Sequence, residues 1–275
     1  MSSAADTGRV VVLDSVTHLD RRVGADDVIV AGSFAGELSL AIALEHGVRA
    51  VVAHEAGPGL DAAGISGLPF AERFGVAAAA VATMSARIGD GASVLDDGVI
   101  THANAPARAL GVTPGLAARA AAARLMAAPR GRRHGAGSRP LVDRGVRIAD
   151  TTAQGRVALI GSMSFAEGAV ANDVVCAGSH AGAANVPPIL RLRPRGVLLF
   201  DGGIARDRSG VSGLPLLDAA DVAAAAVGAD SARIGDPASL WETGIVSACN
   251  LAAEARGVRI GQPAREAARA MLGGA

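Results

Sequence analysis

Three short strings in this chain carry small, hydroxyl-bearing and charged residues at spacings that suit acid-base or nucleophilic chemistry, and each occurs twice. GSFAG at 32–36 returns as GSHAG at 178–182, HEAGPG at 54–59 as FDGGIA at 200–205, and MSARIGD at 84–90 as DSARIGD at 230–236. His180 is the candidate general base, because a neutral imidazole accepts a proton near neutral pH and returns it as an acid. Ser179 beside it and Ser231 in the third string are the candidate nucleophiles, each needing a base to take its hydroxyl proton. Arg233 and Arg87 offer planar forks for a carboxylate or phosphate. Gly178, Gly182, Ser33 and Ser85 offer backbone N–H groups and hydroxyls to an anion or a developing oxyanion. Asp201 and Glu55 share one repeated position, and Asp207 and Asp61 another; such carboxylates act as bases or orient a histidine. His54, next to Glu55, completes the set of candidate binding residues.

The repetition carries information of its own. An offset of 146 residues takes Gly32 to Gly178, and the same offset takes Asp61 to Asp207, Arg87 to Arg233 and Asn104 to Asn250 without a gap. Where the copies differ, one has specialised. Phe34 corresponds to His180 and His54 to Phe200, so each copy has one histidine and one phenylalanine at the same two places. Asn185, Pro187 and Pro188 fall where helix already runs in the first copy, which predicts a longer, more open loop after His180 and a second copy that carries the chemistry. Asp90 and Asp236 fit helix N-caps, the latter with Pro237 at the first helical position.

Absences narrow the chemistry further. The chain has neither Lys nor Tyr, which removes Schiff bases and a P-loop lysine. GSFAGE and GSHAGA lack the third glycine of a dinucleotide fingerprint, so no cofactor is expected. His54, Glu55 and His102 are the nearest approach to a metal-ligand set, but no HExxH or CxxC spacing accompanies them and no metal is expected. Zero net charge and 2% aromatic residues argue against a nucleic-acid partner. The N-terminal segment lacks the basic and apolar regions of an export signal, and the longest apolar run, GVAAAAVATM, is too short for a bilayer. Cys176 and Cys249 lie in separate apolar stretches, which points to a reducing, cytoplasmic setting. The expected partner is a small anionic substrate, with a homo-oligomer as a possibility and no membrane association.

The elements that must hold these residues follow from apolar patterning. VVVLD, DDVIVA, VRAVVAH and VAAAAVAT read as strands and ELSLAIALEHG and AAGISGLPFAERFG as helices; helical stretches then run through Asn104 to a last Ala-rich helix near Met126. The second copy repeats this with VALIG, DVVCA, GVLLFD and VAAAAVG. Continuously apolar strands alternating with helices predict mostly parallel α/β sheets buried on both faces. The fold expected is two tandem-duplicated, doubly wound α/β domains related by a pseudo-two-fold axis. They span 1–126 and 147–275, with 127–146 an Arg/Gly/Pro-rich linker that includes Arg130, Arg132 and Arg133. The three repeated strings all follow strands, where the carboxyl ends of an open parallel sheet form a ligand crevice.

The string SACNLA around Cys249 resembles the Cys-Asn segment of the aspartate/glutamate racemase superfamily, whose members pair two similar α/β halves. That resemblance implies proton transfer next to a carboxylate, but Cys249 corresponds to Ala103 and a second matching cysteine is missing. The leading expectation is therefore a cofactor-independent hydrolase of an amide, lactam or ester bond in a small anionic metabolite. A racemase, isomerase or lyase using Cys249 or an acidic base is one alternative, and a non-catalytic metabolite-binding protein another.

Overall fold

The computed structural model describes residues 8–131, 140–166 and 170–273; Arg132 and Arg133 lie outside them. The chain forms two tandem α/β domains, each built on a mixed, mostly parallel sheet. One compact unit comprises Met1–Glu55 and Ile65–Val142, and the other Ala56–Gly64 and Asp143–Ala275.

In the first unit, strands β1 (Val10–Leu13), β2 (Val28–Phe34), β3 (Ala50–His54), β4 (Ala77–Val81) and β5 (Ile100–Ala103) lie side by side in chain order. The first four are parallel and β5 closes the edge antiparallel to β4. Helices α1 (Glu37–His46), α2 (Gly67–Glu72), α3 (Gly91–Asp97), α4 (Ala105–Ala109) and α5 (Ala118–Leu125) connect and cover them. Every residue of β2, β3 and β4 is buried, as unbroken apolar runs require. Val28, Val30, Val52 and Val81 pack against Ala107 of α4 and Ala121 and Leu125 of α5. Alanine is a poor strand former on an open sheet, yet AAAAV makes β4, because burial on both faces decides the outcome over intrinsic preference.

The second unit repeats this plan and adds a strand. Its sheet runs β11-β10-β9-β8-β7-β6, with β6 (Val146–Thr152), β7 (Gly155–Ile160), β8 (Val174–His180), β9 (Gly196–Phe200), β10 (Ala223–Val227) and β11 (Val246–Cys249). Its helices are α6 (Val186–Leu192), α7 (Leu214–Asp218), α8 (Pro237–Thr243), α9 (Leu251–Ala255) and α10 (Ala264–Leu272). Val186 and Ile189 of α6 and Leu214 and Leu217 of α7 cover one sheet face, while α8 and α10 pack against β8 and β9 from the other. The helices thus cover both faces, but with strands in chain order neither sheet has a reversal point of the kind that marks ligand sites in nucleotide-binding folds.

One repeated asparagine fastens each copy internally. Asn104 accepts from the amides of Ala78 and Ala107 and donates to the carbonyls of Leu68 and Val76. Asn250 does the same for Ala224, Ala253, Leu214 and Val222. Each asparagine thereby ties the start of a strand to the first turn of the preceding helix while itself capping the next. Asp90 and Asp236 cap α3 and α8 as expected, Asp236 bonding the amides of Ala238 and Ser239.

The structure corrects several local expectations. Residues 100–103 and 246–249 are short antiparallel strands rather than helix, because α3 and α8 stop at Gly98 and Gly244 in extended conformation. Four residues are too few for periodicity to show. The hairpin strand β6, paired with β7 across the turn at Ala153 and Gln154, was not anticipated either. The helix expected over AAGISGLPFAERFG begins only at Gly67, since Asp61 and Ala62 before it take left-handed backbone, φ 55° and 53°. The second copy has no longer, open loop after His180. A single 3-10 turn at Ala183–Asn185 precedes α6, and Pro187 and Pro188 occupy its first turn, where a missing N–H costs nothing. Among the described residues no helix is long and apolar enough to cross a membrane.

Candidate active site

Most of the repeated small residues serve the backbone. A β-carbon on Gly178 would come within 2.4 Å of the Gly161 carbonyl oxygen, and one on Gly182 within 2.6 Å of both His180 Nδ1 and the Ser209 carbonyl oxygen. The glycines therefore permit close chain approach instead of lining open space. The serines are equally committed. Ser33 and Ser179 accept from the amides of Val16 and Met163, at 3.0 and 3.1 Å. Ser231 Oγ donates to the Gly228 carbonyl and accepts from the Ile245 amide; Ser85 does the same with Ala82 and Val99. A serine in this arrangement becomes a nucleophile only by abandoning two backbone partners.

The histidine exchange has a structural explanation. Phe34 and His54 are cross-strand partners on β2 and β3, and His180 and Phe200 are the same pair on β8 and β9. Each copy fills one buried slot with one imidazole and one phenyl ring, in opposite order. His180 is buried, and its Nδ1 accepts the Gly182 amide at 3.1 Å. His54 Nε2 lies 3.2 and 3.1 Å from the carbonyl oxygens of Thr83 and Ala86 and so donates there. Burial pushes the His54 pKa below its ordinary value, although those carbonyls favour the charged ring.

The carboxylates at the next repeated position differ more informatively. Glu55, at the end of β3, receives the amide and hydroxyl of Thr83 at 2.8 and 2.9 Å on one oxygen and the Thr101 hydroxyl at 2.5 Å on the other. Burial works to raise its pKa, but the bonds from Thr101 and Thr83 and the nearby His102 hold it below the usual carboxylate range. His102 Nδ1 is 3.1 Å from Thr101 Oγ1 and 3.4 Å from Glu55 Oε2, and its side chain is 42% exposed. Thr101 owns one hydroxyl proton and spends it on Glu55. Toward His102 the threonine oxygen is therefore an acceptor, so Nδ1 bears the imidazole proton. In the neutral ring this leaves the Nε2 lone pair as the basic site.

The matching position in the second unit lacks such a ring. Asp201 accepts from the amides of Gly203 and Ala229 and from the Ser247 hydroxyl, at 2.9, 3.2 and 2.9 Å. Burial dominates and raises its pKa in spite of these bonds, with Asp230 adding repulsion. Ala229 and Ala248 stand where the first copy has Thr83 and His102. Sequence reasoning weighed His102 only as a metal ligand. The available signal was the joint divergence of these positions around one shared carboxylate.

The two candidate arginines, Arg233 and Arg87, are paired with protein carboxylates. Arg233 reaches Asp61 at 3.0 Å and Asp236 at 3.4 Å, all at half-exposed positions within the second unit. Arg87 lies 3.5 Å from Asp90 in the connection between β4 and α3, which also contains Thr83. Asp207 is 3.9 Å from Arg206. Arg130 pairs with Asp26. Cys176 is buried and its thiol pushed up to about 12 by desolvation. Cys249 is partly exposed, and burial followed by the Glu254 carboxylate raises its pKa as well, which disfavours the thiolate on which nucleophilic chemistry depends. Among the described residues no group of three or more His, Cys, Asp and Glu side chains has the arrangement of a metal site.

Comparison with known proteins finds no matching family model, no matching curated protein and no matching solved structure. The functional reading rests on the chemistry of the residues alone.

Proposed function

We propose that the protein is an enzyme that hydrolyses an amide, lactam or ester bond in a small anionic metabolite, with His102 as general base. The observation that carries this reading is the relay Glu55–Thr101–His102, in which a buried carboxylate and a hydroxyl fix the proton on Nδ1 and leave Nε2 of a half-exposed ring able to accept another. Buried orienting groups behind an accessible imidazole are what general-base catalysis needs. Ser85 and Ser231 spend their hydroxyl protons on backbone carbonyls and Ser33 and Ser179 are buried, so water is the nucleophile that fits this base.

In the reaction, His102 Nε2 takes a proton from water as the water oxygen bonds to the substrate carbonyl carbon. The C–N or C–O bond then breaks, and the protonated ring returns the proton to the departing nitrogen or oxygen. Glu55 stabilises the transient imidazolium through Thr101. Arg87, in the connection from β4 to α3 that also contains Thr83, is the group proposed to receive the substrate's anionic end.

The test is turnover of a panel of N-acyl amino acids, lactams and carboxylate esters in ¹⁸O-labelled water, read by mass spectrometry. Incorporation of one label into the product acid is expected, together with a loss of about 10²–10⁴-fold in His102→Asn, whose side-chain amide can still donate to Thr101. Exchange of a carbon-bound hydrogen with solvent deuterium and no hydrolysis would replace this reading with the isomerase or lyase one. Binding without turnover would replace it with a metabolite-binding role.

A further inference from the structure

The second unit contains a groove of about 550 Å³, bounded by the loop at Asp207 and Arg208, by Leu214, Pro215 and Asp218 of α7, by Cys249 at the end of β11 and by Leu251 at the start of α9; Asp218 is engaged by the Ala252 amide at 2.8 Å. This is a volume suited to a small molecule. The second copy departs from the first at six of its lining positions, and three of these changes enlarge an alanine: Arg208, Cys249 and Leu251 stand where Ala62, Ala103 and Ala105 do. The divergence has placed a cation, a soft thiol and a large apolar side chain around one opening. Arg208 is exposed, and among the described residues its guanidinium forms no hydrogen bond or ion pair. Its backbone is held at φ 58°, a left-handed conformation that is unfavourable for a long side chain. Leu251 stands at the rim, 70% exposed, and adds apolar surface to the opening.

We infer that this groove is a binding site for a small carboxylate with an apolar tail. Arg208 grips the carboxylate through its planar fork, and Leu214, Pro215 and Leu251 cover the tail. Cys249 on the groove wall is not a reacting group in this site and serves as its reporter. The site is independent of the first unit's base.

The experiment uses hexanoate as the probe, with hexan-1-ol and hexylamine as tail-matched controls. Cys249 is partly exposed and Cys176 buried, so alkylation by iodoacetamide, followed by peptide mass spectrometry, reads Cys249 with Cys176 as an internal unreactive reference. Hexanoate should slow Cys249 alkylation about tenfold at roughly ten times its Kd, the two controls should not, and Arg208→Gln should abolish the protection. Arg208→Gly is the folding control: it removes the left-handed strain, so it should keep or raise Tm while losing the protection. Absence of protection in the native protein, equal protection by hexan-1-ol, or unchanged protection in Arg208→Gln would each overturn the site. His102→Asn should retain full protection, so failure of the hydrolase reading and failure of this one are told apart.

Discussion

Replacing Asn250 with alanine tests whether the repeated asparagine fastens the second unit. The side chain satisfies four backbone groups: the amides of Ala224 and Ala253, both at 3.0 Å, and the carbonyls of Val222 and Leu214, at 2.8 and 3.4 Å. Alanine removes all four partners at a site where Asn250 is only 6% exposed, so water cannot readily substitute. An orphaned buried polar group costs about 1–3 kcal/mol, carbonyls falling at the low end. With the lost α9 cap worth about 1 kcal/mol, sub-additive summation gives about 3–5 kcal/mol, against a total stability of about 5–15 kcal/mol for a folded domain. Urea unfolding followed by fluorescence is suited to this, because the chain has one tryptophan, Trp241, and it is buried on α8 of the second unit. The Trp241 transition should move to markedly lower urea with little change in slope. Asn104→Ala, monitored by far-UV circular dichroism, should show a loss of the same order. A cost below about 1 kcal/mol at either position would mean that the bonds are incidental, since surface substitutions fall in that range.

Other expectations concern titration and packing. Asp201 has a folded pKa raised by burial above its ordinary 3.8, so its favourable contribution is complete below that value and is lost as pH rises through the folded pKa. Asp201→Asn, whose amide can donate to Ser247 while that hydroxyl turns to the Ala226 carbonyl at 3.3 Å, should therefore raise Tm at pH 7 and give no gain near pH 4. His54 has a folded pKa below its ordinary 6.5; it favours the neutral ring, and its contribution should decline as pH falls below that value, as measured by urea midpoints across the acid range. His54→Phe should cost about 1–3 kcal/mol by orphaning carbonyls that the ring now satisfies. Adding Phe34→His, which recreates the ring order of the second unit, should recover part of that cost as a coupling of about 1 kcal/mol.

What could be read from the sequence depended on the length over which a signal persists. Val28–Ala31, Ala50–Ala53 and Val174–Ala177 announce buried strands because four consecutive apolar residues with no polar alternation mark an element covered on both faces. Asp236 followed by Pro237 announces a helix start through two local requirements at once. The strands holding Thr101 and Ser247 are four residues long and follow a helix directly, so no periodicity separates them from it. Missing β5 also hid the candidate base, since its pairing sets His102 opposite Ala80 and brings Thr101 onto Glu55. His180 drew attention through its place in a glycine-rich string, but the string's glycines serve close packing and the ring is buried against Phe200. Pro187 and Pro188 suggested an opened loop because sequence alone does not show that one 3-10 turn shifts them into the first turn of α6.

The most direct test of the proposed base is the tautomer of His102, measured by ¹⁵N NMR of histidine-labelled protein in the neutral-ring state, with His102→Asn assigning its signals among the six histidines. The relay through Thr101 to Glu55 predicts a protonated, pyrrole-like Nδ1 and an unprotonated, pyridine-like Nε2, with the preference lost in Thr101→Val and kept in Thr101→Ser. A ring protonated on Nε2, or one whose tautomer ignores Thr101→Val, would contradict the account.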